Sequence, residues 1–243
     1  MALTTKSAFG FTRAWVARSL RMLRDDPGLF EAENVEEAVL QLGIGKRKVG
    51  ALYFWLRVLG LVDENGAAPH GLSPMGEMVL EWDPSCQEVG TWCLFHYQLA
   101  SDPDGASGYW WLTNHCQLRE ITREAMVQSI ASGYPDVSER TVSDAVAMLL
   151  QVFDNTPIGD ELGFYRPTTG GKYERESPSA HTLHPAVFAE CLIRWATTRG
   201  RDTVNLEEEM IEPGGVGRIL NLTREETETR LVEWVFIEVE GGE

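Results

Sequence analysis

The chain has no apolar run of the roughly 18 residues that crossing a bilayer demands, which argues against a membrane-spanning helix. Its first residues, MALTTKSAFGFTR, lack the apolar segment of a secretory leader, so a cytoplasmic protein with no membrane partner is expected. Cysteine is sparse. Cys86, Cys93, Cys116 and Cys191 form no Cys-x-x-Cys pair, and buried free thiols fit them better than a structural zinc site. No GxxxxGK[ST] loop is present, so nothing points to ATP binding, and no GxSxG element marks a nucleophilic serine. Lysine is scarce too. None of Lys6, Lys46, Lys48 and Lys172 has an acidic residue two positions before it, so the Glu-x-Lys element of many metal nucleases is missing. Net positive charge is also lacking. A formal charge of −16, taken alone, argues against a polyanionic partner.

Hydrophobic content of 43% and eight tryptophans, in 243 residues, imply a folded globule with a substantial core. The charge is unevenly placed. Residues 1–60 carry nine Lys/Arg against six Asp/Glu, or +3, which leaves −19 on the remainder. Such asymmetry suits one end that meets a polyanion and a body that repels it. A solvated basic face on an ordinary helical domain is the competing reading.

The basic residues of this end concentrate in two helical segments. Over about 11–24, a 100° wheel gathers Trp15, Val16, Leu20, Met22 and Leu23 on one side. Arg13, Arg18, Arg21, Arg24 and Ala17 fall on the other, a cationic polar face. Residues 34–60, NVEEAVLQLGIGKRKVGALYFWLRVLG, read as helix, Gly43-Ile44-Gly45 turn and helix, with Gly60 as the terminal cap. Lys46, Arg47 and Lys48 begin the second of these helices. Cations at a helix start oppose the dipole by roughly 0.3–1 kcal/mol each, so an anionic partner such as phosphate would explain three together. In the same helix Val49, Leu52, Tyr53, Leu56 and Leu59 form the predicted core stripe. The opposite face holds Arg47, Gly50, Ala51, Phe54 and Val58, flanked by Lys46 and Arg57. Apart from Arg47 that face lacks base-reading side chains, so weak sequence readout is expected. Gly50 and Ala51 leave room for a nucleic-acid backbone or for another helix.

A short strand at Leu61-Val62, a turn at Asn65-Gly66 and a Ser73-Pro74 helix start complete a winged helix-turn-helix pattern. The predicted architecture is mainly α: residues 1–82 form this DNA-binding unit and residues 83–243 a helical body. Within the body, helices are expected from Val89, over 121–132, over 138–152, over 186–199, and over 223–235 with the capping box Thr223-x-x-Glu226. The 121–152 pair suggests a second helix-turn-helix-like unit. Residues 154–180 read as a loop or β-hairpin. The acidic stretch from Glu207 to Glu243 has eleven Asp/Glu against three Lys/Arg, suiting a solubilising surface or a protein-facing one.

Catalytic candidates are weak. Asp102-x-Asp104 sits in an Asp-Pro-Asp-Gly turn, and His181-x-x-His184 precedes Pro185 and suits capping. His96 reads as a core histidine. His115, beside Asn114 and Cys116, is the better candidate for chemistry. No catalytic residue and no metal-ligand set emerges. The predicted DNA contacts are Arg13, Arg18, Arg21, Arg24, Lys46, Arg47, Lys48 and Arg57.

The run Leu42-Gly43-Ile44-Gly45-Lys46, then Phe54-Trp55-Leu56, Asp83-Pro84, the stretch 92–99 and the element YWWLTN resembles a bacterial family found beside DNA-phosphorothioation and phage-defence genes. The likeness covers nearly the whole chain and implies kinship with the DNA-nicking component, SspB, of single-strand phosphorothioation. It further implies partnership with DNA, a cysteine desulfurase, an ATPase and a sulfurtransferase-like protein. A nickase would take Mg²⁺ or Mn²⁺. Where the family has a Lys-Asn-like start to the second helix, this chain has Lys-Arg-Lys. The family supplies no catalytic motif that maps onto these residues. A homo-oligomer is compatible with this reading. The alternative is a non-catalytic DNA-binding adaptor or a transcription regulator.

Overall fold

The helices begin where the sequence supplies caps. The computed structural model describes residue 3 and residues 9–64, 68–178 and 183–240, the side chains of 234–240 excepted. Thr12 accepts from the Trp15 amide and opens α1 (Arg13–Asp25). Then follow α2 (Val35–Leu42) and α3 (Lys46–Val58), joined through Gly43 at φ 68°. Gly60, at φ 73°, ends α3 in a Schellman turn: its N–H reaches Arg57 O, and Leu61 N–H reaches Leu56 O. Ser73 caps α4 (Pro74–Trp82). The predicted boundaries of these elements hold to within a residue or two. The strand expected at Leu61-Val62 is a single antiparallel bridge, Val62 opposite Leu72. The Asn65-Gly66 turn lies outside the described residues.

The remaining helices are α5 (Val89–Ser101), α6 (Ser107–His115), α7 (Arg123–Gly133), α8 (Glu139–Asn155), α9 (Pro157–Asp160), α10 (Pro185–Thr198), α11 (Leu206–Ile211), α12 (Val216–Ile219) and α13 (Arg224–Glu240). Three short antiparallel strands, β1 (Glu120–Thr122), β2 (Arg166–Pro167) and β3 (Lys172–Glu174), form one sheet in the order β1-β3-β2. The fold is therefore mainly α. Ile121 corrects the sequence reading: instead of starting a helix it pairs with Tyr173 in the sheet, and Thr122 then caps α7 through the Ala125 amide. The capping box at α13 forms as read, with Thr223 accepting from Glu226 N–H and Glu226 accepting from Thr223 N–H.

The core is organised around α5, which is buried on nearly all sides, as a helix apolar on every face must be. Helices α6, α9, α10 and α12 pack against it. The N-terminal helices join the same core. The Phe11 ring lies 4.9 Å from Trp55 of α3 and 6.2 Å from Trp92 of α5, and the Trp55 indole donates to Phe9 O at 2.8 Å. The side chains of Phe11, Trp55 and Trp92 are essentially inaccessible to water. All four cysteines are buried and free. Among the described residues no helix is long and apolar enough to cross a membrane.

Candidate nucleic-acid interface

Only the first turn of α3 emerges freely. Lys46, Arg47 and Gly50 are exposed and Lys48 is half-buried. Nothing lies within 4 Å of where a Cβ on Gly50 would sit. Beyond that turn the helix sinks into the protein. Ala51 and Phe54, expected on an open face, are buried, and Val58 is half-buried. Trp55, absent from the predicted core stripe, is fully buried, whereas Tyr53 is half-buried and stacks on Phe30 at 5.0 Å. The wheel missed this because the covering elements come from elsewhere: the N-terminal segment at Phe9 and Phe11, and Gly105, which faces Val58. Gly50 and Ala51 thus divide the two roles considered for them. Ala51 packs and Gly50 stays open.

The cationic face of α1 is divided as well. Ala17, in its middle, is buried, and α4 packs against α1. Arg13 donates to Gln87 at 2.8 Å and forms an ion pair with Glu161. Arg24 pairs with the adjacent Asp25 at 3.3 Å. Arg57 is held by Glu64 at the far end of α3. Lys46 lies 3.4 Å from Glu36, an ion pair with both partners well exposed and hence worth little.

The others have no carboxylate partner among the described residues. Arg18 is exposed and donates to Leu42 O, at the carbonyl end of α2, at 3.4 Å. Arg21 and Arg47 are exposed. The Lys48 ammonium stands 5.4 Å from the Trp15 ring and 5.7 Å from the Phe9 ring, a cation–π arrangement that links α3 to α1. The fold therefore brings Arg18, Trp15 and the Lys46–Lys48 turn around the α2–α3 junction. Arg13 and Arg57 are directed into ion pairs elsewhere.

The catalytic candidates resolve into structural roles. Asp102 accepts from the Asp104 amide at 2.9 Å, closing a turn. His184 caps α10 by accepting from Ala186 N–H, and His181 lies outside the described residues. His96 is buried, with Nδ1 2.5 Å from the Tyr109 hydroxyl and Nε2 3.1 Å from Ile219 O; desolvation pushes its pKa down to about 3. His115 is exposed and stacks on Trp111 at 4.2 Å, its pKa lowered by partial burial and by Arg218.

A metal-dependent nickase needs converging ligands. Among the described residues no group of three or more His, Cys, Asp or Glu is placed to hold a metal ion. Asp154, Asp160 and Glu161 do line one cleft, yet Glu161 is taken by Arg13 and Asp154 accepts from the Tyr173 hydroxyl at 3.1 Å. These residues do not fit a magnesium or manganese centre, and no metal-assisted step is derived from them.

The protein-family model described as "Protein of unknown function (DUF4007)" matches residues 5–237. No curated protein sequence matches the chain. Two solved structures have the same fold. One, described as a magnesium ion-bound SspB crystal structure, has a TM-score of 0.77 and 19% identity, covering 96% of this chain and 77% of that one. The other, described as an SspB crystal structure, has a TM-score of 0.77 and 21% identity with the same coverage. At these identities the likeness establishes an SspB-like fold.

Proposed function

The chain belongs to the DUF4007 family, and on that premise we propose that it is the DNA-binding component of an SspB-like, phosphorothioation-based anti-phage system. The observation that carries the reading is the cation-rich first turn of α3. Lys46 and Arg47 project from it, and Lys48 and Arg18 stand beside it without carboxylate partners among the described residues. Duplex phosphates satisfy such a cluster without base contacts. In this reading the binding unit is residues 1–82, a winged helix-turn-helix whose wing holds, among the described residues, the Val62–Leu72 bridge, and residues 83–243 are the helical body. Contact runs through Arg18, Arg21, Lys46, Arg47 and Lys48. Arg24 needs only to leave an exposed pair, whereas Arg13 and Arg57 would each have to give up a carboxylate. Nicking, and the desulfurase, ATPase and sulfurtransferase-like partners, follow from the family resemblance.

Fluorescence anisotropy with a labelled duplex, repeated over a salt series, tests the binding. Changing Lys46, Arg47 and Lys48 together to Ala should weaken binding by at least about tenfold and flatten the salt slope by about 0.9 for each phosphate no longer neutralised. Unchanged affinity and slope would end the reading. A non-catalytic adaptor or regulator is the second reading, favoured by the poor fit of the described acidic residues to a metal. Supercoiled plasmid with Mg²⁺ or Mn²⁺ separates the two: open circles support the nickase, and intact supercoils at DNA-saturating protein support the adaptor.

A further inference from the structure

Away from the basic face, the small sheet creates an electrostatic problem. Extending the β1–β3 register by one pair sets Arg119 opposite Arg175, and the Arg175 N–H donates to Arg119 O at 2.7 Å. Like charges facing each other across strands disfavour pairing. The two side chains diverge. Arg119 stays exposed, 3.3 Å from Glu174. Arg175 turns inward and is 2% exposed, its guanidinium 5.1 Å from the Phe164 ring.

The bonds of Arg175 leave its charge largely uncompensated. Its Nη groups donate to the carbonyls of Thr113, Cys116 and Arg218, all neutral acceptors, and Nε has no acceptor among the described residues. The carbonyl end of α6 offsets part of the charge. Yet no carboxylate forms an ion pair with Arg175 among the described residues, and the neighbouring Arg218 also donates only to carbonyls, those of Asn114 and Ile211. A buried charge with no counter-ion is costly, and an anion arriving beside it would recover part of that cost.

There is a place for such an anion. Arg175 lines a cleft of about 500 Å³ together with Gln117, Arg119, Glu176, Ser177 and Asn221. The single carboxylate in this lining, Glu176, is occupied by Arg166 at 2.9 Å. Asn221 holds a left-handed φ of 54°, rare for a residue other than glycine, and Ser177 donates its hydroxyl to Asn221 O. The lining is thus two guanidiniums, two amides, a hydroxyl already donated to Asn221 O and one ion-paired carboxylate, a polar surface unsuited to an apolar ligand.

We propose that this cleft binds a phosphate-class oxyanion, with Arg119 and Arg175 supplying charge and the Gln117 and Asn221 side-chain amides supplying directed hydrogen bonds. The site is separate from the face of α1 and α3 and does not rest on the DNA-binding reading. Its ligand is either a free phosphate or a backbone phosphodiester, which share this chemistry.

Titration of the full chain with inorganic phosphate at fixed ionic strength, followed by ³¹P NMR, tests the proposal. A short single-stranded oligonucleotide lacking terminal phosphates, followed by fluorescence anisotropy, forms the second arm. Saturable binding in the first arm identifies free phosphate, and in the second alone a phosphodiester; either supports the site where it survives the Lys46, Arg47 and Lys48 triple substitution. Arg119→Ala should weaken binding by about tenfold or more, and Asn221→Gly, which keeps the left-handed backbone, by several-fold. Because Arg175→Gln removes buried hydrogen bonds and can unfold the protein, the two milder variants decide. The Lys46, Arg47 and Lys48 triple variant should keep this binding intact. No saturable binding in either arm, wild-type binding by both Arg119→Ala and Asn221→Gly, or loss confined to the triple variant would each overturn it.

Discussion

Glu209 and His96 are two buried titratable side chains whose effects on stability run in opposite directions. Glu209 is fully buried in α11 and neither carboxylate oxygen has a hydrogen-bond partner among the described residues; desolvation raises its pKa to about 7. Between its ordinary value of 4.5 and about 7, the folded chain holds this proton more tightly than the unfolded chain does. Its penalty is therefore present in full above about 7 and fades as pH falls toward 4.5. His96 behaves the other way. Its folded pKa of about 3 lies below its ordinary 6.5, so the unfolded chain binds the proton first and stability declines as pH drops through that window. The two slopes offset each other where the windows overlap, each limited to about 1.4 kcal/mol per pH unit. Glu209→Gln should raise stability at pH 8, with the gain shrinking to little near pH 5. The variant alone should then show an uninterrupted decline below 6.5. Urea unfolding at the two pH values checks this, and equal gains at both would refute the assignment.

At the scale of the element, α3 behaves as a core helix whose first turn reaches solvent. Gly50 lies in its interior with open space around it, so Gly50→Ala should stabilise the protein by about 0.5–1 kcal/mol through helix propensity alone. Thermal unfolding reads the gain. Gly60→Ala should do the reverse and cost about 1–2 kcal/mol, because φ is 73° and the new Cβ would meet Gln98 at 3.3 Å. The same geometry bears on specificity. With Ala51, Phe54 and Trp55 buried, little of α3 is left to enter a groove and read bases. Discrimination between a candidate motif and scrambled duplex should stay below about 4 kcal/mol, the lower end of specific over non-specific recognition. Competition binding measures it, and a larger difference would count against phosphate-led contact.

At the scale of the molecule, the acidic C-terminal region is part of the core. Val216, Ile219, Leu220 and Leu222 are buried, His96 Nε2 contacts Ile219 O, and the Gly214 amide donates to Asn114 at 2.7 Å. The charge count from Glu207 onward suggested a surface that solubilises or docks. Among the described residues most of its acids lie on α11 and α13, while the intervening α12 packs against α5 and α6. Removing everything after Val204 should therefore abolish cooperative unfolding. Circular dichroism melts check this, and a sharp transition in the truncated chain would show that the core closes without α11–α13.

What the sequence determined by itself was local. Cap residues at Ser73, Ser138 and Thr223, glycines at 43 and 60, and the amphipathic stripe of α1 define helices through contacts three to five residues apart, and these were legible. The mainly α class and the buried thiols followed from the same short-range chemistry and composition. The tertiary structure decided what depends on distant partners. It turned Ile121 into a strand by pairing it with Tyr173, covered the second face of α3, divided the cationic face of α1, and sent Arg13 to Glu161. It also placed Arg175, which carries no motif, beside Arg119 and Asn221. A helical wheel records which side chains share a face of one element. It says nothing of which face another element, a hundred residues away, will cover.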